Sequence, residues 1–379
     1  MLSHLTLKQA VRHFTSPSSA SHSLRELPLL LSPVQLADIL ALSSTSTNIK
    51  LLDASYHVPL RLRTPSTPAS LKEKIRMAFG VGASDQLDVE PPHIKKYLEE
   101  NDDEVPGSLL RDAKREFELG DRIQGSQFFD LSTIRDILKS QPLISPAPED
   151  FAEFMNDLSI KNTDHIIVYD TLGTQTSPRA WSLLRLMGHQ NISILDGGLP
   201  AWRRANLPVV PTTASSSSST ESPASTDPSD SYTPDFQPTR VRDYQDILRG
   251  VVDLMQTNCP VIIDVRPPER HMGMGIEPLH TTKKYGTIPG SINIHWREFL
   301  DPSTNTILAP LEIIRVLKAP GRRIDLDRDI VVFGNDAISA SVVQLCLEVL
   351  GKTEGVSVYE GGWSEWAGQD ASPTTRKGY

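Results

Sequence analysis

Cysteine is nearly absent from this 379-residue sequence, which carries only Cys259 and Cys346. Two thiols exclude a disulfide scaffold and a cysteine-rich metal centre, and they suit a reducing compartment. Histidine does not fill the gap: His271, His280 and His295 are not at ligand spacing, so neither a metal nor a cofactor is expected. Long apolar runs are missing as well, and none approaches the ~20 residues of a membrane helix. Positive charge is in deficit, with 38 Lys and Arg against 47 Asp and Glu and a net charge of -9. Without a basic cluster, nucleic acid is not an expected partner. Acidic residues are in turn absent ahead of Glu26. Residues 1–27 instead carry Lys8, Arg12 and Arg25, many Ser and Thr, and scattered Leu2, Leu5, Leu7 and Val11. This reads either as a mitochondrial transit peptide or as a disordered leader. The mitochondrion is therefore the expected location, with the cytoplasm as the alternative.

A chain of this length suits two domains with additions. The first is expected over 28–211. Ser32-Pro33 opens a helix with proline in its first turn. Residues 50–55, ending in polar Ser55, and 165–170 read as buried strands. A helix through Trp181, Leu184 and Met187 stops at Gly188, and Ile192–Leu195 is the next strand. Between about 61 and 108 this rhythm fails. Pro, Thr and Ser, a lysine-containing helix around 71–79 and an acidic run at 99–104 mark a surface insertion. Residues 212–238 are rich in Ser, Thr and Pro and read as a linker with too little apolar area to order itself. The second domain is expected over 239–370, with a tail at 371–379.

The second domain repeats the first. Leu51-Leu52-Asp53 answers to Ile262-Ile263-Asp264, and Ile123-Gln124-Gly125-Ser126 to Ile288-Pro289-Gly290-Ser291. Asp196-Gly197-Gly198 with Trp202 answers to Glu360-Gly361-Gly362 with Trp366. Asp170 to Asp196 is 26 positions, as is Gly334 to Glu360. Matching order and spacing predict two copies of one α/β domain.

The chemistry is expected where the central strand of the second copy ends. Ile330–Phe333 is a short, mostly β-branched apolar run, and Gly334-Asn335-Asp336 is a turn. From Ser339 onward, Val342, Val343, Leu345, Leu347 and Leu350 mark the buried side of a helix. A strand that re-enters as a helix through a small turn aims loop N–H groups at one point, the place of an anion or a nucleophile.

Several segments carry a family resemblance. They are Tyr169-Asp170 with Ser177-Pro178-Arg179-Ala180-Trp181, Leu195-Asp196-Gly197-Gly198-Leu199-Pro200-Ala201-Trp202, Ile288-Pro289-Gly290-Ser291-Ile292-Asn293 and Tyr359-Glu360-Gly361-Gly362-Trp363-Ser364-Glu365-Trp366. Together they resemble the two-domain rhodaneses, the thiosulfate and 3-mercaptopyruvate sulfurtransferases, over nearly all of the chain outside the leader, insertion and linker. The resemblance implies an α/β fold of two tandem rhodanese-like domains, each a mostly parallel sheet flanked by helices. It also implies a persulfide relay. In such enzymes a cysteine opening a Cys-Gly-x-Gly-Val-Thr-Ala loop takes sulfur from a small anionic donor and hands it to a thiophilic acceptor. The first domain of such proteins is an inactive copy, a pattern that Asp170 fits.

Carried over residue by residue, Ala337-Ile338-Ser339-Ala340 matches Gly-Val-Thr-Ala. The active loop is then Gly334, Asn335, Asp336, Ala337, Ile338, Ser339 and Ala340, and the nucleophile position is Gly334, which has no side chain to hold sulfur. The arginines that grip the donor in this family are retained as Arg266 and Arg270. Met272 stands where many mercaptopyruvate-type members have arginine, and Asp336 adds a carboxylate that opposes an anion.

Neither cysteine is expected to step in. Cys346 lies a dozen positions on along a helix, over ~10 Å away at ~1.5 Å per residue, among Val343, Leu347 and Leu350. Cys259 precedes the strand at 261–265 and so belongs to the edge opposite the ligand edge. His189 is expected to pack or turn the chain, Trp363 and Trp366 to anchor the core, and Arg179 to hold the domain interface by pairing with a carboxylate. Two classes of function follow. One is a family sulfurtransferase with impaired or lost turnover, and the other is a noncatalytic rhodanese-fold protein that binds a protein partner or a small anion. A monomer without membrane contact is expected.

Overall fold

The structure is a computed structural model that describes residues 27–42, 48–56, 113–136, 139, 143–210, 231–252, 259–275, 284–322 and 324–375. The leader over 1–26, the insertion at 61–108, linker residues 212–230 and His280 lie outside the described residues.

Two five-stranded sheets form from the repeated strand pattern. In the first, β1 (Leu30–Leu31), β2 (Ile49–Asp53), β3 (Ser126–Phe128), β4 (His165–Tyr169) and β5 (Ile192–Leu195) take the order β1-β5-β4-β2-β3. In the second, β6 (Val241–Arg242), β7 (Val261–Asp264), β8 (Ile292–Asn293), β9 (Ile330–Phe333) and β10 (Val356–Tyr359) repeat that order as β6-β10-β9-β7-β8. Every ladder is parallel, so all five strand ends in each sheet meet at one edge. The central strands β4 and β9 are buried throughout, as strands with helices on both faces must be.

The first half carries α1 (Pro33–Leu42), α2 (Ala113–Leu119), α3 (Pro148–Asp157), α4 (Ser177–Leu186) and α5 (Gly198–Arg204). The second carries α6 (Tyr244–Val252), α7 (Pro268–His271), α8 (Pro310–Leu317), α9 (Ala337–Val349) and α10 (Gly362–Gly368). Helix α9 starts at Ala337, two residues ahead of the expected Ser339, because the Asp336 carboxylate accepts the N–H of Ile338 at 2.9 Å and caps the first turn. It is also buried on every side from Ala337 to Leu347 rather than along one stripe. The cause is its position, between its own sheet and α4 of the other half. Ser182 donates to Gln344 across this contact at 2.6 Å, and one apolar core runs through both halves.

The halves meet as a pseudo-twofold pair. Ile307 N–H of the second half donates to Asp196 of the first at 2.9 Å, and Ser145 N–H of the first donates to Glu360 of the second at 2.9 Å. Two residues ahead of each donor the chain passes through a left-handed residue, Asn305 at φ 54° and Leu143 at φ 67°. Arg179 breaks the symmetry. Its Nη1 lies 2.7 Å from Glu360 Oε1, its Nη2 donates to Leu143 O at 2.7 Å, and both partners of the ion pair are buried. The interface role expected for Arg179 is therefore met.

The linker reading needs correction at its end. The stretch 231–238 is not a free tether: Tyr232 is 2% exposed and packs on Phe151 of α3. A single aromatic with a row of backbone bonds is enough to anchor a segment otherwise poor in apolar groups. The start of the expected tail is also tied down, by an antiparallel bridge between Thr287 and Thr375.

Removing one member of a buried ion pair strands the other. Arg179→Met is expected to cost about 3–5 kcal/mol in urea denaturation, with Arg179→Met/Glu360→Gln less destabilised than the single variant.

Candidate functional site

The first-half loop shows what the strand–turn–helix geometry collects. Asp170, directly after β4, accepts N–H donors from Leu172, Gly173, Gln175, Thr176 and Ser177 at 2.7–3.0 Å, and the Ser177 hydroxyl at 2.8 Å. Five backbone donors on one buried carboxylate form an anion cradle whose anion belongs to the chain itself. Asn305 from the second half lies over this loop and donates to Leu172 O at 3.3 Å.

The second-half loop is built on the same frame with different contents. It is shorter: only Gly334, Asn335 and Asp336 separate β9 from α9, whereas seven residues's length of chain, 170–176, separates β4 from α4. A Cβ at position 334 would overlap Ser339 Oγ, so that hydroxyl fills the place where a side chain at 334 would begin. Ser339 Oγ and Asn335 Oδ1 are buried and make no hydrogen bond to any described residue. Asp336 takes the role of internal anion, but from two residues further on and with Ile338 N–H as its donor. Burial pushes its carboxyl up to about 6, against the bond from Ile338 and the positive charge of Arg179. Ala337, Ile338 and Ala340 are wholly buried and supply backbone and packing.

The two arginines are placed differently. Arg266 has its guanidinium buried against Asp264, with Nε at 3.1 Å from Oδ1 and Nη2 at 2.8 Å from Oδ2, and it donates to Gly286 O at 2.8 Å. The Trp363 ring stacks on it at 4.2 Å. Asp264 also receives His271 Nδ1 at 2.9 Å and Thr287 Oγ1 at 2.7 Å. Burial alone would raise this carboxyl, yet Arg266 and His271 hold it well below the usual range. Arg270, at the end of α7, is buried beside His295. The His295 imidazole is pushed down to about 4 by burial, then by the charge of Arg297, with Arg270 adding to it.

Both cysteines stand where the sequence puts them. Cys346 is inside α9, and burial raises its thiol far above the ordinary range. Cys259 is two residues ahead of β7, at the opposite edge of the sheet from the loop. One neighbour had no signal in the sequence. Tyr56, three residues past β2 of the first half, has its hydroxyl raised first by burial and then by the Asp336 charge. Only the docking of the halves brings these two residues together.

The rhodanese-like domain profile matches residues 95–205 and 249–369. The 3-mercaptopyruvate sulfurtransferase of Escherichia coli K12 is 32% identical over 268 residues, which cover 71% of this chain and 88% of that protein. The thiosulfate sulfurtransferase of Rattus norvegicus is 28% identical over 273 residues, covering 72% and 84%. Two solved structures share the fold. Tum1 of Saccharomyces cerevisiae has a TM-score of 0.65 at 22% identity, covering 93% of this chain and 100% of that one. The sulfur transferase subunit of yeast mitochondrial complex I has a TM-score of 0.64 at 22% identity, covering 91% and 97%.

The raised Asp336 carboxyl sets a pH dependence with a definite sign. Its folded value of about 6 lies above the ordinary 3.8, so its contribution to stability is complete below pH 3.8 and is lost as pH rises through 6. Asp336→Asn keeps a capping oxygen and removes the charge. Relative to the unmodified chain, it is expected to gain on the order of 2–3 kcal/mol at pH 8 and nothing at pH 4, read from thermal denaturation at the two pH values.

Proposed function

The chain belongs to the rhodanese-like family, and on that premise we propose that it is a sulfurtransferase homologue whose second-domain site no longer carries sulfur. The observation behind this reading is Gly334, with Ser339 Oγ in the space of the missing side chain. A sulfur relay requires a thiolate that attacks the donor, keeps the transferred sulfur as a persulfide and yields it to the acceptor. Hydrogen at that position does none of these. A serine hydroxyl does not replace it, because it is not ionised at neutral pH and does not form a persulfide.

Asp336 works in the same direction. Its carboxylate occupies the helix end to which a donor anion would bind, much as Asp170 occupies the first cradle. We assign any remaining grip on an anion to Arg270, with Arg266 holding the loop edge through Asp264 and Trp363. What the site retains is a rhodanese frame suited to a small anion or a protein partner, in place of turnover. A mitochondrial setting is part of the proposal. It is supported by the basic, acid-free start of the chain and by the likeness to a yeast mitochondrial subunit.

With thiosulfate plus cyanide, or 3-mercaptopyruvate plus a thiol, the unmodified chain is expected to show no turnover above a no-protein control. Rates like those of active family members would overturn the reading. Gly334→Cys, with Ser339 free to turn aside, is expected to gain one sulfur atom by mass after donor treatment, and Gly334→Cys/Met272→Arg to add turnover with mercaptopyruvate. Asp336→Gly is expected to tighten sulfate binding about tenfold in calorimetric titration, the equivalent of ~1.4 kcal/mol. An unchanged affinity would mean that the carboxylate does not guard the site.

A further inference from the structure

The end of the linker is bound to the first half by a ladder of specific contacts. Asn156 on α3 accepts the N–H of Tyr232 at 2.8 Å and donates to Ser231 Oγ at 3.1 Å. Asn162 accepts from Thr233 N and donates to Thr233 O, both at 2.8 Å. Asp235 N–H donates to Met187 O at 3.0 Å, and Gln237 N–H to Leu186 O at 2.7 Å. The strap presses so closely that a Cβ on Gly188 would overlap Asp235 O. Beyond it the chain runs directly into a 3-10 turn at Pro238–Arg240 and then β6, the edge strand of the second sheet. Arg240 meets Glu348 of α9, which also takes Arg185 of α4.

At the centre of the ladder is a titratable contact. The Tyr232 ring lies parallel to His189 at 5.9 Å, and its hydroxyl is 3.3 Å from His189 Nδ1. His189 Nε2 faces Asp164 O at 3.1 Å. Because a carbonyl only accepts, Nε2 carries the proton and Nδ1 offers its lone pair to the tyrosine O–H. A second buried histidine is close by. His165 Nε2 donates to Ser193 Oγ at 2.9 Å, which passes its own proton to Pro28 O at 2.7 Å.

We infer that His189 is an acid-released latch that clamps the interdomain strap 231–237 to the first half while its ring is neutral. Protonation of His189 removes the lone pair that Tyr232 donates to and puts a charge into a packed, stacked site. The surrounding groups offset only part of this cost. The Asp164 carboxylate, which also accepts Lys161 N–H at 2.9 Å, and the backbone of Asp164 and Asn191 favour the charged ring, but burial outweighs them. Arg185 on α4 adds positive charge, though it is paired with Glu348. Asp235 on the strap is exposed, as are the acids of α3, Glu149, Asp150, Glu153 and Asp157. Burial holds both imidazoles below the ordinary value, His165 at about 4 with the charge of His189 adding to the effect, and His189 with Arg185 adding to it. A folded value below the unfolded one means that the clamp is complete above pH 6.5 and is lost as pH falls through the folded value. Release frees the strap that leads into β6 and loosens the covalent side of the domain junction.

Hydrogen exchange followed by mass spectrometry on the full chain tests this, with rates corrected for the intrinsic pH dependence. Between pH 7.5 and 4.5 the strap peptide is expected to open by up to about tenfold per pH unit in the window between the ordinary histidine value and the lower folded one, while α9 stays protected. His189→Gln is expected to abolish that pH dependence, whether it leaves the strap closed or open throughout. Tyr232→Phe, which keeps the ring and loses the hydroxyl, is expected to weaken protection at pH 7.5 and to flatten the profile. Strap protection unchanged across the range, strap and α9 opening together, or a pH dependence that survives in His189→Gln would overturn the latch.

Discussion

In both halves the carbonyl that follows the central strand is held by an N–H at the start of a short helix. Leu199 N donates to Asp170 O at 2.8 Å, and Trp363 N to Gly334 O at 2.9 Å. This contact requires one backbone to touch another, and it is made next to a glycine with positive φ each time, Gly198 at 54° and Gly362 at 53°. A Cβ on Gly362 would lie 2.7 Å from the carbonyl oxygens of both Gly334 and Asn335. The repeated Gly-Gly step therefore sets where each loop sits. Cradle, helix start and domain contact are all placed relative to it.

On this shared frame the two loops solve the same electrostatic problem in different ways. A helix start surrounded by inward N–H groups favours a negative charge. The first half supplies one from the strand end itself, through Asp170, and uses five backbone donors on it. The second half has no side chain at the matching position and places a carboxyl from Asp336 two residues later, with Ile338 N–H as donor, so that burial outweighs the helix start and raises it to about 6. That shift starts α9 earlier and turns Ser339 toward Gly334. The bare glycine at 334 and the carboxylate at 336 thus belong to one local arrangement.

Much of this is legible in the residues. The 26-position spacing from Asp170 to Asp196 and from Gly334 to Glu360 reflects two loops pinned by the same backbone contact. Apolar runs such as Ile330–Phe333 mark strands covered on both faces. The helix start at Ala337 was not legible, because a capping aspartate and a loop aspartate look alike in one dimension. The anchoring of 231–237 was hidden for a similar reason: composition shows little apolar area, while one buried Tyr232 and the side chains of Asn156 and Asn162 act over long sequence separations.

By itself the sequence determined the duplicated α/β plan, the loop position and the absence of sulfur at Gly334, since these depend on local periodicity and on the identity of single residues. Tertiary structure alone decided how those residues are used. It buried Arg266 against Asp264 and Trp363, paired Arg179 with Glu360, brought Tyr56 to Asp336 and placed Tyr232 on His189. Each of these joins groups far apart in the chain or sets the charge state of a buried group, and both depend on which surfaces exclude water from one another.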